Sequence, residues 1–517
     1  MERAGTQPTR RPPRRQLLSQ VARLRPLFAC ALALGLCAAC DDGGSALGGG
    51  ADAARHGPRR VLVVVVDTLR ADFLAAPDGS ARTTDAPRFF ERFAARALDF
   101  THARAASSWT APSTATIFTG LVPVQHGVRR GRMAALAGSD GTLEVDRIPR
   151  AIDTLPMLAA DAGYATFGVA ANPNLSVEQG FARGFDHFEN TSATTLEAAG
   201  LIDRLLDWRT ELESAPQAFV YLHFMDPHGP YHLREEFLRP HEQLAPATRA
   251  ALDAYLASEE GASHLLEGRV PSFTATLVTR ETGLSRAQAL EVLRACYRSE
   301  IAYLEQQLDR LWRELGIDDE WFVALTADHG EEFGEHGAVG HPYELYDELL
   351  RVPLLVAPHA DGWDEVPRED ARPATHADLV ATLREVLGAD PDPRVLGSSL
   401  LAPPVAGRPW SGAQFASRTS MTDPGRKRSI VRDEVKLVVD ARNGIARLFD
   451  LVADPLERTN LAAERLELSE ALFDELEAFE ATAPRLEPER YVGDQTAADA
   501  ELLRWLGYLQ DGPKSDD

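Results

Sequence analysis

The segment VLVVVVD, Val61 to Asp67, is a continuous β-branched run that closes on a carboxylate. A run apolar on both faces predicts a strand covered on both sides in a parallel or mixed sheet. The pattern returns in WFVALTADHGEE, Trp321 to Glu332, which ends its apolar run at Asp328 and His329. It returns again in QAFVYLHFMDPHGPY, Gln217 to Tyr231, ending at Asp226 and His228. Between these runs, TLEAAGLIDRLLDWRTEL and RSEIAYLEQQLDRLWREL place apolar residues three and four apart, the spacing of amphipathic helices. Strands alternating with helices predict an α/β fold with a mixed, largely parallel central sheet flanked by helices. Ligands of such sheets sit at the carboxyl ends of the strands. Asp67, Asp226, Asp328 and His329 all fall at that edge.

The rest of the chain divides around this core. Residues 1–25 carry seven arginines and one acid, and LFACALALGLCAAC follows from Leu27 to Cys40. A basic stretch before a short apolar one predicts an export signal over 1–40, too short to span a bilayer, where about 20 residues are needed. Small residues before Cys40 resemble a bacterial lipoprotein processing site, which would tether the mature chain to a membrane through lipid on Cys40. Ordinary cleavage near Ala38 or Ala39 is the alternative. Residues 41–58, rich in Gly and Ala, read as a flexible tether. The main domain is expected over 59–400, with a charged, helix-patterned insertion at 233–295. A proline-rich link then leads to a smaller C-terminal α+β domain over 405–490, with a turn at Asn443-Gly444 and a helix at about 464–482, before a tail at 491–517.

Charge and cysteine content narrow the partners. The full chain has a formal charge of −24, and without residues 1–40 it holds 47 basic against 77 acidic residues, a net −30. No basic stripe offsets that field, so nucleic acid is not an expected partner. Three of the four cysteines lie before residue 41, leaving Cys296 alone in the folded body, where a helical setting predicts a buried small residue and no intrachain disulfide.

A local anion site must therefore come from helix ends, histidines or metal. Asp67 with the Asp328-His329 pair forms a candidate cation site for one divalent ion, and a carboxylate and imidazole set favours Zn, Mn or Fe over Ca. Asp226, His232 and His341 leave a second metal possible. The loop TADHGEEFGEHG concentrates acids and histidines among glycines, a composition that points to function. In SSWTAPSTATIFTG, Ser107 to Gly120, Thr110 stands just before Pro112 at the mouth of a short helix. It reads either as the helix cap or as a hydroxyl that a metal activates for attack on an anion held at the helix end.

The ordered set VVVVDTLRADFL, SSWTAPSTATIFTGLVPVQHGV, GYATFGVAANPN, GFARGFDHFEN, HFMDPHGPY, LTADHGEEFGEHG, RVPLLV and RLFDLVADPLERTNL resembles the sulfatase family of the alkaline phosphatase superfamily, from about residue 60 to 465. The resemblance implies one or two divalent metals and hydrolysis of a sulfate or phosphate ester through a covalent intermediate. It puts Asp67, Asp328 and His329 on metal positions and Thr110 on the nucleophile, itself a metal contact. His228 falls on an anion-touching histidine and His341 on a substrate-binding position; in the mechanism this suggests, His336 and Asn172 are further candidate substrate contacts. The departures are informative. Thr110 cannot become the formylglycine that sulfatases make from Cys or Ser, Thr114 replaces the accompanying arginine, and Thr68 replaces a second aspartate. Together they incline the expectation toward a phosphoester, phosphodiester above all, hydrolysed or transferred through a threonine intermediate. The substrate would be an anionic ester on a small molecule, glycan or lipid head group. Two rivals stay open: a sulfuric ester hydrolase using unmodified Thr110, and an inactive relative that binds glycans or other anions.

Overall fold

The computed structural model describes residues 57–494, apart from 75–87, 133–141, 195–196, 259–268, 271–282, 342–343, 359–368, 404–413, 420–425 and 488. The expected export segment with Cys40, nearly all of the tether, the tail from 495, and much of 233–295 lie outside the described residues.

Eight strands form the central sheet: β1 (Arg60–Val66), β2 (Leu98–Arg104), β3 (Ala165–Ala170), β4 (His187–Asn190), β5 (Ala218–Phe224), β6 (Trp321–Ala327), β7 (Leu354–Ala357) and β8 (Glu369–Thr375). Their order is β8-β2-β7-β6-β1-β5-β3-β4, and only β7 runs against its neighbours. β1 lies at the centre, paired in parallel with both β5 and β6, as its doubly apolar run predicts.

The two faces of β1 enter different layers because strand side chains alternate. Leu62, Val64 and Val66 pack in the cluster that holds Val292, Leu293, Cys296 and Leu304 of the helix α2 (Arg286–Leu315). Val61, Val63 and Val65 pack with Ile117 and Phe118 of α1 (Thr110–Thr119) and Leu379, Val380 and Leu383 of α3 (His376–Val386). Ser285 caps α2 with its side chain and Gly316, at φ 59, ends it. This 30-residue helix runs through residue 295, so the last part of the segment read as an insertion is a core helix. Cys296 is buried in it, and burial pushes its thiol pKa up. No helix among the described residues is long and apolar enough to cross a membrane.

The smaller C-terminal region is a four-stranded antiparallel sheet over 414–450 with the helix α4 (Leu466–Thr482) packed on it. Asp433 and Glu434, at φ 51 and 56, make a two-residue hairpin of the type that needs two positive φ values. That turn lets Glu434 reach Arg104 at 3.1 Å. Lys436, fully buried, lies 2.9 Å from Asp347 and 3.0 Å from Glu457, while Arg104 holds Asp347 from the other side at 2.7 Å. The network fixes the end of the loop that follows His329 onto the small sheet. Lys436→Met leaves Asp347 and Glu457 without their buried ammonium. We expect a loss of about 3 kcal/mol in denaturant unfolding, since removing one partner of a buried pair strands the others.

Candidate active site

Three strand ends build the site. Asp67 follows β1, and Asp328 with His329 follows the adjacent β6, so their parallel register delivers all three to one edge. Thr68 turns the chain away with φ 58, an uncommon value for a β-branched residue. The Tyr297 hydroxyl holds that turn by donating to the Thr68 carbonyl at 2.7 Å, and the Thr68 N–H donates to Asp328 Oδ1 at 3.3 Å. Strain at this position fixes the relation between two carboxylates, which is where such conformations are found.

Asp67, Asp328 and His329 are fully buried, and they alone among the described residues gather three metal-ligating atoms within 4.8 Å. His329 Nε2 lies 3.6 Å from Asp67 Oδ1 and 3.6 Å from Asp328 Oδ2. Asp67 Oδ1 and Asp328 Oδ2 have no hydrogen-bond partner. Buried carboxylate oxygens without partners are costly, and a divalent cation meets that need. Electrostatics agree. Burial and then the charge of Asp67 push the Asp328 carboxyl well above the usual range. Burial acts the same way on Asp67, but the imidazoles of His228, His223 and His329 outweigh it and hold that carboxyl low. Burial keeps His329 neutral, the form that ligates metal.

Thr110 opens α1, and every residue of that helix is buried. The cap position belongs to Trp109, with no side-chain capping bond, so the capping reading of Thr110 is not what the structure shows. Its Oγ1 lies 3.5 Å from Asp67 Oδ2 and 3.5 Å from His329 Nε2. Asn172 Nδ2 lies 3.3 Å from the same oxygen and also donates to Asp67 Oδ2, while Asn172 Oδ1 accepts from the Asn174 N–H at 2.8 Å. Ser113, one turn along α1, donates to the Asp328 carbonyl at 2.5 Å and ties the helix to the metal-ligand loop.

The remaining expected contacts divide. His341 joins the site, its ring 4.7 Å from that of His329 and its Nδ1 3.0 Å from Glu331. The His228 ring follows at 5.1 Å from His341. His336 is engaged elsewhere, stacked on Tyr346 with Nε2 3.3 Å from Glu348. The residues named for a second metal are not brought together. Asp226 accepts the Ala198 N–H at 2.8 Å, and His232 faces Glu300 at 3.4 Å. Sequence reasoning passed over His223, which is fully buried on β5 with Nε2 3.7 Å from Asp67 Oδ2. Its only sequence signal is an imidazole inside an otherwise apolar and aromatic strand.

Comparison with known proteins places this geometry. Residues 59–389 match the sulfatase family. The chain is 24% identical over 444 residues to the choline-sulfatase of Rhizobium meliloti, covering 78% of this chain and 83% of that protein. It is also 24% identical over 484 residues to the multifunctional alkaline phosphatase superfamily protein PehA of Trinickia caryophylli, covering 78% and 91%. The fold is similar to that of the phosphonate monoester hydrolase of Agrobacterium radiobacter, with a TM-score of 0.61 at 20% identity over 82% of this chain and 96% of that one. The family match spans well over half of the sequence and carries the Asp67, Asp328 and His329 cluster within it, and the protein belongs to the sulfatase family of metal-dependent hydrolases acting on phosphate or sulfate esters.

Proposed function

We propose that the protein cleaves monoanionic esters, phosphodiesters foremost, by attack of unmodified Thr110. The observation that carries this reading is the Thr110 hydroxyl, 3.5 Å from both Asp67 and His329 at the first turn of a ten-residue helix. Asp67, Asp328 and His329 would hold a Zn or Mn ion, which when bound lowers the pKa of a neighbouring hydroxyl and neutralises charge on the ester. Thr110 Oγ1 bonds to phosphorus, the bond to the leaving oxygen breaks, and water then cleaves the phosphothreonine. Asn172 donates to an equatorial oxygen, and the N–H groups of Thr110 and Ala111, which open α1, face the same anion. His341, oriented by Glu331, and His228 bind the remaining oxygens or hand a proton to the leaving group.

Charge supports the substrate class. The basic side chains described beside Asp67, Thr110 and His329 are the imidazoles of His223 and His341. Arg70, three residues on, is turned to Asp72 and Glu335 at 2.7 and 3.0 Å. A site supplied with imidazoles rather than guanidinium or ammonium groups suits an ester with one negative charge better than a doubly charged phosphate monoester. With Mn-loaded protein, bis(4-nitrophenyl) phosphate is expected to be turned over at least about tenfold faster than 4-nitrophenyl phosphate, a difference of roughly 1.4 kcal/mol. Activity should vanish with a chelator and return with Mn or Zn. Preference for 4-nitrophenyl sulfate with no phosphoesterase activity would overturn the phosphoester reading in favour of a sulfatase. Inertness with full metal loading would favour an anion binder.

We further propose, from residues 1–40 alone, that the chain is exported and lipid-tethered through Cys40. Failure of Cys40→Ser to release it from the membrane fraction would refute that.

A further inference from the structure

We infer that His223 is an additional ligand of the same cation, which gives the site two imidazoles and two carboxylates. The inference rests on the metal reading above and adds a residue to it.

His223 is the sixth of seven buried residues in β5. Its Nδ1 is 2.9 Å from the hydroxyl of Tyr221, itself buried, while its Nε2 has no hydrogen-bond partner. That nitrogen faces both metal carboxylates, 3.7 Å from Asp67 Oδ2 and 4.0 Å from Asp328 Oδ2. A hydrogen bond to either would bring the atoms to about 2.9 Å, so the imidazole is not placed to bond them directly. The stand-off resembles the 3.6 Å that His329 Nε2 keeps from Asp67 Oδ1 and Asp328 Oδ2. Ligand atoms about 2.1 Å from a tetrahedral zinc stand roughly 3.4 Å from one another, close to both sets of spacings. A buried nitrogen without a partner, aimed between Asp67 Oδ2, which accepts from Asn172, and Asp328 Oδ2, which has no partner, has the chemistry of a co-ligand.

Tyr221 supplies what a ligating imidazole requires. With Nδ1–H donating to the phenol oxygen, the lone pair stays on Nε2, and the ring orientation is fixed from outside the ligand set. The assignment also accounts for Thr68, whose hydroxyl is buried without a partner at the position where the sulfatase resemblance puts a second aspartate. An imidazole from β5 takes up the coordination that the missing carboxylate would supply. Two nitrogen donors move the site further toward Zn or Mn and away from Ca.

The test counts imidazoles on Mn(II) added to the metal-stripped full-length protein, by electron spin-echo modulation from directly bound nitrogen. Wild type is expected to show two nitrogens and His329→Asn one. His223→Phe, which keeps a ring of similar size, should show one and bind Mn at least tenfold more weakly. Tyr221→Phe keeps the ligand and loses its orientation, so two nitrogens with a smaller loss of affinity are expected. Two nitrogens retained in His223→Phe would put the second imidazole on another histidine, such as His341, and overturn the proposal. One nitrogen in wild type that disappears in His329→Asn overturns the role of His223 and leaves the metal site standing. No loss of nitrogen or of affinity in His329→Asn overturns the metal reading itself.

Discussion

Thr110→Ala is expected to lower kcat/KM toward a phosphodiester by roughly 10⁴ to 10⁶-fold, the scale on which removing a covalent nucleophile acts in other hydrolases. The fold should tolerate the change. Trp109 occupies the cap of α1 and Thr110 makes no capping bond, so alanine removes a hydroxyl whose described neighbours are Asp67, His329 and Asn172. Unfolding midpoints and Mn content at saturation should match the wild type. Thr110→Ser keeps the oxygen and should stay within about tenfold of wild type. A phosphoryl label trapped from a slow substrate should map to Thr110 and be absent from the alanine variant. Activity above about 1% of wild type in Thr110→Ala would remove the covalent step from the mechanism.

The parts of this site written in the sequence are those that one dimension can express. The VLVVVV run is apolar at every position because β1 is covered on both faces, and a carboxylate directly after such a run must lie at the strand edge. The same logic finds Asp328 and His329, since β6 ends in the same way beside β1. It finds Asp226 too, and there it misleads: the edge position is real, but the carboxylate satisfies the backbone of a neighbouring helix. His336 lies in a loop rich in acids and histidines, yet its ring stacks on Tyr346. Composition marks that loop as functional without saying which side chains face inward. α1 shows the opposite limit. Ten successive buried residues, among them four threonines and a serine, have no amphipathic period, and only two of the hydroxyls are bonded locally, Thr119 to Ala115 and Thr116 to Pro112. His223 was illegible for a related reason. Its face of β5 is set by alternation, but that the gap beneath two carboxylates lies opposite that face appears only once β1, β5 and β6 are side by side.

Asp328→Asn is expected to abolish activity and at the same time to stabilise the metal-free protein. Lost coordination removes several kcal/mol of charge stabilisation, so kcat/KM should fall by roughly 10⁴-fold or more. Stability moves the other way because, without a cation, Asp328 is a buried acid beside Asp67, raised by burial and by that like charge. Asparagine is nearly isosteric and keeps an oxygen for the Thr68 and His329 N–H groups, which reach Asp328 Oδ1 at 3.3 and 2.9 Å. The new amide replaces the oxygen that has no partner and can donate toward Asp67. We expect the apoprotein to gain about 1 kcal/mol or more, a scale seen when buried charges are replaced by neutral groups. Adding Mn at about 100 times its dissociation constant should reverse the order, because wild type then gains about 2.7 kcal/mol and the variant almost none. Denaturant unfolding of both proteins with and without Mn gives the four values. If the metal-free variant is instead less stable than wild type, or gains as much from Mn, then Asp328 serves the fold and the cation lies elsewhere. The predicted crossing therefore separates a site that sacrifices stability to hold a metal from an acid cluster retained for packing.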